Sequence, residues 1–205
     1  MNVLLASVLL VALAPVLLCV ALLVKLTSSG PALFTQDRVG VNRRNGHRRP
    51  ERGRRRVDYG GRLFRIYKFR TMYANGTGRD DEVWAQPDDP RVTPVGRVLR
   101  KYRLDELPQL WNVLRGDMDL VGPRPEQPRI FLRLREQIDG YEDRQQVRPG
   151  ITGWAQINQH YDRCIEDVRS KLRLDLEYVQ RQSVREDLRI LVRTVPVVLL
   201  RRGAW

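Results

Sequence analysis

Two adjacent acids, Asp105 and Glu106, open the stretch of this sequence whose residue types are best suited to chemistry. Arg124 follows in a Gly-Pro-Arg-Pro sequence, and Arg100 and Arg103 come shortly before the acids. A carboxylate can attack phosphorus as a nucleophile, and arginines can stabilise the charge that spreads over phosphoryl oxygens. Mg²⁺ suits such a site because it binds one or two carboxylates together with phosphate oxygens. The group is therefore typical of phosphoryl transfer, with Asp105 as the candidate nucleophile.

The residues after the two acids predict a helix that would position them. Leu107, Leu110, Trp111 and Leu114 are spaced as one apolar face, which we expect to be buried. Asp105 falls at the expected N-cap, where free backbone N–H groups favour a carboxylate or a phosphate. A purely structural explanation stays open at this point, because aspartate is a favoured capping residue whatever its chemistry.

An apolar segment precedes this region at residues 3–26, which are almost entirely leucine, valine and alanine. As a helix it would be about 36 Å long, against about 30 Å for the hydrocarbon layer of a membrane. Pro15 lies near its middle and should kink it, because proline removes a backbone donor and clashes with the preceding turn. A kinked helix can return to the side it entered, but a plain spanning helix also fits this pattern.

The charge of the chain is strongly positive, at +13, with 37 lysines and arginines against 24 acids. Such a field attracts nucleic acid, an anionic lipid surface or a phosphorylated substrate. Residues 42–62 are dense in arginine with almost no apolar residue, which predicts a mobile loop, either solvated or lying on anionic headgroups. A membrane-tethered nucleic-acid binder is one alternative, although residues 43–56 lack the aromatic side chains that stack on bases.

The remaining pattern predicts a small mixed domain. Two short strands are expected at residues 32–41 and 62–70, and helices at 93–102, 126–138 and 165–179. Ser183 begins a capping box that opens a last helix, apolar on one face and rich in arginine around it. That helix fits a place in the core and a place in the membrane interface equally well.

Six motifs, in their order along the chain, resemble those of the monotopic phosphoglycosyl transferases, the bacterial sugar transferases that use polyprenyl phosphate. They are SGP at 29–31, YKFRTM at 67–72, LDELPQLWNVL at 104–114, GDM at 116–118, VGPRPE at 121–126 and RPGITGWAQ at 148–156. Together they cover nearly the whole chain, so the resemblance is specific.

The resemblance implies a two-step reaction that begins membrane glycan synthesis. Asp105 would attack the sugar-linked phosphorus of a UDP-sugar, release UMP and form an aspartyl-phosphosugar. A polyprenyl phosphate, undecaprenyl phosphate in most bacteria, would then accept the phosphosugar. Glu106 would assist metal binding or proton transfer, so Asp105 and Glu106 are the expected ligands of Mg²⁺.

The resemblance also assigns a set of residues to phosphate and substrate binding: Lys68, Arg70, Arg100, Pro123, Arg124 and Pro125. His160 stands where the family has a phosphate-binding arginine, so either His160, Arg163 or Arg148 is expected to take that role, or the geometry of the site differs. Ala14-Pro15 replaces the family's Ser-Pro pair, and Pro15 is the expected break in the membrane helix.

The expected fold is therefore α+β, with a kinked, re-entrant N-terminal membrane helix, a small cytosol-facing helical domain, a short β-hairpin and interfacial amphipathic helices. Residues 1–26 would be the membrane helix and 27–205 the catalytic domain, with 42–62 as an insertion. The expected location is the bacterial inner membrane, facing the cytoplasm. The expected partners are a UDP-sugar, a polyprenyl phosphate and membrane lipids, but not nucleic acid; the oligomeric state, a homodimer included, stays open.

A second enzymatic alternative comes from Asp117-Met-Asp119, which matches the DxD metal motif of ordinary nucleotide-sugar glycosyltransferases. Such an enzyme would release UDP, whereas a phosphoglycosyl transferase would release UMP. No motif in the sequence encodes which sugar is transferred.

Overall fold

The structure, a computed structural model, describes residues 1–42, 58–73, 89–159 and 164–200. The helices and strands in these ranges are α1 (Asn2–Thr27), β1 (Leu33–Val39), β2 (Leu63–Phe69), α2 (Pro94–Lys101), α3 (Gln109–Leu114), β3 (Asp119–Val121), α4 (Pro128–Gln137), β4 (Gly150–Thr152), α5 (Trp154–Asn158), α6 (Ile165–Arg181) and α7 (Val184–Leu199). Two 3-10 segments, Leu104–Glu106 and Tyr141–Gln146, complete the described elements. The prediction of a mixed fold with a long apolar first helix and a two-stranded hairpin is confirmed.

The hairpin pairs β1 and β2 antiparallel, with Thr35 opposite Tyr67. Phe64 and Ile66 project from β2 into the core, and Lys68 follows them on the same face because side chains alternate along a strand. A second, parallel pair joins β3 to β4, with Asp119 opposite Gly150. The sequence did not predict this pair, because strands of three residues are too short to show a period.

The first helix packs along the rest of the chain at both of its ends. Ala6 is fully buried in a cluster with Leu110 and Val113, while Val24 is buried beside Phe69. At 1.5 Å per residue, Ala6 and Val24 are roughly 27 Å apart along the helix.

The opposite side of α1 is exposed and apolar, as Leu4, Val11 and Leu18 show. Within the described residues, α1 is the one helix that is long and apolar enough to cross a membrane. Its helical conformation continues through Pro15.

The predicted apolar face around α3 is only partly correct. Leu110 is buried as expected, but the Trp111 side chain is 52% exposed. The helix begins at Gln109 and has six residues, so Leu107 lies outside it. Its buried face is centred on Leu110 and Val113, one turn apart, and Trp111 projects to the side of that face.

The last helix begins as the sequence predicted, since Ser183 Oγ accepts a hydrogen bond from the backbone N–H of Glu186 at 3.2 Å. Ile190 anchors α7 in the core. A row of apolar side chains on α7 is exposed instead: Val184, Leu188, Val192 and Val195. The helix is therefore amphipathic, with one face packed and one face outward.

Candidate active site

A tight turn between α2 and α3 places the two acids. Thr93 caps α2, accepting from the Gly96 N–H at 2.8 Å, and α2 ends just before Arg103. Arg103 has a φ of 53°, the left-handed conformation, and is the one non-glycine residue with positive φ in the described ranges. This conformation costs about 1–2 kcal/mol for an L-residue. It reverses the chain, so that Asp105 and Glu106 are buried in the following 3-10 turn, at 8% and 6% exposure.

The predicted capping role of Asp105 is wrong. The residue before α3 is Pro108, which makes no side-chain cap, and the helix starts four residues after Asp105. A six-residue helix also has only a small dipole, so it does little to favour an anion at its N-terminus. In the described part of the chain, the Asp105 carboxylate accepts no hydrogen bond. Capping therefore does not explain the presence of an aspartate at position 105.

Glu106 is held by two cations from different parts of the chain. Lys68 Nζ lies 2.8 Å from Glu106 Oε1, and Arg124 Nη2 lies 2.6 Å from the same oxygen. Arg124 Nη1 also reaches Oε2 at 3.3 Å. Burial alone would raise the pKa of Glu106, but Arg124 and Lys68 outweigh it and hold that pKa well below its usual range. Glu106 therefore stays ionised.

Asp105 has the opposite electrostatic environment. Burial, together with the neighbouring charge of Glu106, raises the pKa of Asp105, although Lys68, Arg124 and Arg100 act against the rise. The two adjacent acids thus have different environments. Glu106 is neutralised by cations that it contacts, whereas the Asp105 carboxylate receives no hydrogen bond from the described residues. A buried acceptor of this kind is available to a substrate or a metal ion.

The loop that carries Arg124 is fixed by its own backbone. Four consecutive carbonyl groups of this loop each accept a hydrogen bond, and the donors come from three other segments of the chain. The pairs are Gly150 N to Pro123 O at 3.0 Å, Arg144 Nη2 to Arg124 O at 2.9 Å, Arg38 Nη1 to Pro125 O at 3.1 Å, and Val39 N to Glu126 O at 3.0 Å. Pro123 and Pro125 also fix φ on either side of Arg124. The predicted loop of Pro123, Arg124 and Pro125 is therefore rigid, and it delivers Arg124 to Glu106.

Asn112 joins the strand of Lys68 to the helix that follows the acids. Its Oδ1 accepts from the Tyr67 N–H at 3.1 Å, and its Nδ2 donates to the Arg65 carbonyl at 2.7 Å. The side chain thus makes the two backbone hydrogen bonds that a neighbouring strand would make at this edge of β2, and it is fully buried. Sequence reasoning missed it, although a polar residue between buried apolar positions of α3 was a usable signal.

The structure brings Arg100 to the acids but places Arg70 elsewhere. Arg100 Nε donates to Thr71 Oγ1 at 2.9 Å, and its charge acts on Asp105. Arg70 Nη2 instead donates to the carbonyl and hydroxyl oxygens of Ser28, at 2.8 and 2.9 Å. Arg70 therefore binds the C-terminal end of α1, where the helix dipole also favours a cation.

The remaining predicted residues have other partners or fall outside the described ranges. Arg148 Nη1 binds Asp119 Oδ1 at 3.4 Å, whereas Asp117 pairs with Arg115 at 3.2 Å. The two acids of the DxD pattern thus have different arginine partners, and in residues 1–42, 58–73, 89–159 and 164–200 no cluster of three or more potential ligands could hold a metal ion. His160 and Arg163, like most of the arginine-rich segment, fall outside the described residues.

The acids nevertheless fit Mg²⁺ bound together with a substrate. Mg²⁺ requires only one or two protein carboxylates when phosphate oxygens and water complete its octahedron. Asp105 offers a carboxylate that accepts no hydrogen bond from the described residues, and each oxygen of Glu106 has more than one lone pair. The donor set suits a hard cation, with Asp105 as the more open ligand.

The chain belongs to the bacterial sugar transferase family, whose model matches residues 1–47 and 52–201. It is 41% identical, over its full length, to the UDP-N-acetylgalactosamine-undecaprenyl-phosphate N-acetylgalactosaminephosphotransferase of Aeromonas hydrophila. It is 42% identical, again over its full length, to the UDP-glucose:undecaprenyl-phosphate glucose-1-phosphate transferase of Caulobacter vibrioides. Exopolysaccharide production protein ExoY of Sinorhizobium fredii is 35% identical over the whole chain.

These relatives differ in length and in donor sugar. The chain spans 44% of the Aeromonas protein, 70% of the Caulobacter protein and 86% of the Sinorhizobium protein. The names of the first two specify N-acetylgalactosamine and glucose respectively. Similarity of this degree therefore identifies the family without selecting one sugar.

Proposed function

We propose that this chain transfers a sugar-1-phosphate from a UDP-sugar to a polyprenyl phosphate and releases UMP. The observation that carries the proposal is the contrast within the acidic pair. Glu106 is held in its ionised form by Lys68 and Arg124, while Asp105 beside it offers a buried carboxylate with no hydrogen-bond donor in the described chain. The names of the relatives support the same reaction and undecaprenyl phosphate as acceptor.

In the first step, an Asp105 carboxylate oxygen attacks the phosphorus that carries the sugar. A new oxygen–phosphorus bond forms as the bond to the bridging oxygen breaks, and UMP leaves with that electron pair. Arg124 and Lys68 both bind Glu106, the residue next to Asp105. From there they stabilise the charge on the phosphoryl oxygens. Mg²⁺, when held by Asp105 or Glu106, would neutralise charge on the diphosphate.

In the second step, an oxygen of the polyprenyl phosphate attacks the same phosphorus. The bond to Asp105 breaks, the carboxylate is regenerated, and the product is a polyprenyl-diphospho-sugar. Because Lys68, Arg124 and Arg100 all act on the Asp105 carboxylate, the site suits two phosphate-bearing substrates in succession. Arg100 is the third cation whose charge acts on Asp105, and we expect it to contact the same phosphates.

We also propose that α1 enters the membrane and returns to the same side, so that residues 27–205 form a catalytic domain on the cytoplasmic face of the bacterial inner membrane. Both ends of α1 pack on this domain, at Ala6 and Val24. If α1 crossed the bilayer, the residues packed against Ala6 would have to follow it about 27 Å into the membrane. The exposed apolar row of α7 and its flanking arginines suit the interface with anionic lipids.

The reaction is tested with UDP-glucose, UDP-galactose and UDP-N-acetylgalactosamine carrying ³²P at the sugar-linked phosphate. With undecaprenyl phosphate in detergent, we expect UMP release and labelled lipid for at least one donor. Without acceptor, the wild-type chain should retain label, whereas Asp105→Asn should not. Asp117→Asn is the matched control and should behave as the wild type. Release of UDP with no labelled protein would overturn the proposal and favour an ordinary glycosyltransferase.

The topology has a separate test. A single cysteine at residue 2, in a chain with Cys19→Ala and Cys164→Ser, should react with a membrane-impermeant maleimide only from the cytoplasmic side. Labelling only from the opposite side would show that α1 spans the membrane.

A further inference from the structure

We propose that Arg144 is a positioning residue for this reaction: it holds the backbone of Arg124 and thereby aims the Arg124 guanidinium at Glu106. The proposal rests on the function proposed above. Arg144 lies on the 3-10 segment Tyr141–Gln146 and is 4% exposed. Its Nη2 donates to the Arg124 carbonyl at 2.9 Å, which connects it to the residue that contacts Glu106.

An arginine is required at this position because the guanidinium donates in several directions at once. Besides the Arg124 carbonyl, Nη2 lies 2.7 Å from Asp175 Oδ2. Nη1 donates to the Tyr141 hydroxyl at 2.7 Å and approaches Glu126 Oε1 at 3.4 Å. A lysine keeps the positive charge but has one nitrogen, so it cannot reproduce this planar fork.

The network around Arg144 is buried and pairs acids with cations. Lys171 Nζ binds Glu126 Oε1 at 2.9 Å, so Arg144 and Lys171 both face Glu126, and Arg144 also faces Asp175. The side chains of these four residues are between 2% and 14% exposed. Buried ion pairs are weak contributors to stability compared with apolar packing, whereas in some proteins they fix one geometry. Here the network ties α6 to the loop segment directly after Arg124.

The consequence for the site is pre-organisation. Arg124 reaches Glu106 Oε1 at 2.6 Å, and the carbonyl of the same residue is the group that Arg144 holds. A displacement of about 1 Å in a positioning group can reduce a rate about a hundredfold. Arg144 should therefore influence the chemical step more than the binding of the donor.

The test is a double-mutant cycle on the full chain in detergent, with undecaprenyl phosphate and whichever of the three UDP-sugars gives the fastest UMP release. Arg144→Lys should lower kcat about tenfold, the effect of weakening one charge-assisted hydrogen bond, with KM for the donor within about twofold. In an Arg124→Lys background, Arg144→Lys should change kcat less than about twofold. The Arg124 guanidinium, through which Arg144 acts on the acids, is already replaced in that background.

Arg135→Lys is the matched control. Arg135 pairs with Glu142 of the same 3-10 segment at 3.6 Å but does not touch the Arg124 loop, so we expect no change in either background. Tyr141→Phe removes only the hydroxyl that accepts from Arg144 Nη1. It should give a smaller fall in kcat that also disappears in the Arg124→Lys background.

An equal fall in kcat in both backgrounds would overturn the positioning role and leave Arg144 a general structural residue. If Arg144→Lys shows no cooperative thermal unfolding, Tyr141→Phe decides the question by the same criterion. If the wild-type chain releases no UMP from any of the three donors, the proposed function fails, and this inference fails with it.

Discussion

Replacing each of the two adjacent carboxylates by its amide should shift the stability of the chain in opposite directions. Glu106→Gln removes the anion that neutralises Lys68 and Arg124, whose side chains are 17% and 33% exposed. Loss of one partner from a buried ion pair costs about 3–5 kcal/mol, and the partial exposure of Arg124 favours the lower end, about 3 kcal/mol. For a chain of this size that corresponds to a fall in Tm of roughly 6–12 °C.

Asp105→Asn should have the opposite sign. The raised pKa of Asp105 means that the fold disfavours its ionised form, so at neutral pH the charge lowers the free energy of unfolding. The amide removes that charge and, in the described chain, no hydrogen bond is lost with it. We expect a gain of up to about 1 kcal/mol, or a rise in Tm of roughly 2–4 °C, together with loss of activity.

The measurement is thermal unfolding by circular dichroism at pH 7.5, in one detergent, at one scan rate and without divalent cations. UMP release from the same preparations gives the activity, which should be abolished in Asp105→Asn and severely reduced in Glu106→Gln. Asp117→Asn is the control: the Asp117 side chain is 7% exposed, as Glu106 is, but its partner Arg115 is 47% exposed, so we expect a smaller fall in Tm than for Glu106→Gln. A similar fall in Tm for both amide variants would refute the distinction between Glu106, which two cations neutralise, and Asp105, whose carboxylate accepts no hydrogen bond from the described residues.

Other predictions follow from the site and its supports. Asn112→Asp should lower the free energy of unfolding by about 3 kcal/mol in urea titrations, because a buried carboxylate then faces the Arg65 carbonyl, while the exposed Asn158→Asp should change it little. Burial opposes ionisation of Glu126, but Lys171 and Arg144 lower its pKa to about 2 from an ordinary 4.5. Its contribution to stability should therefore be complete above about pH 4.5 and disappear as the pH falls through about 2; urea titrations from pH 7 to pH 2 should show a smaller loss for Glu126→Gln than for the wild type. Arg70→Gln should lower Tm by weakening the contact with Ser28 but leave KM for the UDP-sugar unchanged. A changed KM at constant Tm would instead indicate that Arg70 binds the substrate. EDTA should abolish UMP release and Mg²⁺ should restore it; full activity in EDTA would exclude the metal.

The elements with a strong period were predictable from the sequence. The apolar first helix, the hairpin strands and the capped starts at Thr93 and Ser183 all lie within a few residues of their expected places. Asp105, Glu106 and Arg124 were also predicted to lie together, and the structure places Arg124 on Glu106. Short-range patterns were sufficient for the helices, strands and caps because each of these depends on neighbours in sequence. The grouping of Arg124 with the two acids was predicted from residue chemistry and from the family resemblance.

What the sequence did not predict depends on contacts between distant segments. The pairing of β3 with β4 and the bonds of Asn112 to β2 have no local signature. The contact of Arg70 with the end of α1 was not predicted, because a basic residue two positions after Lys68 looks equivalent to it and only the fold shows this contact. Asp105 was expected to cap a helix, but the left-handed turn at Arg103 shifts the helix start to Gln109.

The packing of α1 has a consequence for how this protein can be divided. Because Ala6 and Val24 lie in two separate clusters of the core, the helix supplies one wall of the domain that it also attaches to the membrane. Removing residues 1–27 would uncover Leu110, Val113 and Phe69 to water, where each large apolar side chain loses about 1.5–3 kcal/mol of burial. The membrane segment is therefore not an exchangeable anchor: a truncated soluble enzyme, or one fused to an unrelated membrane helix, would lack part of its own interior.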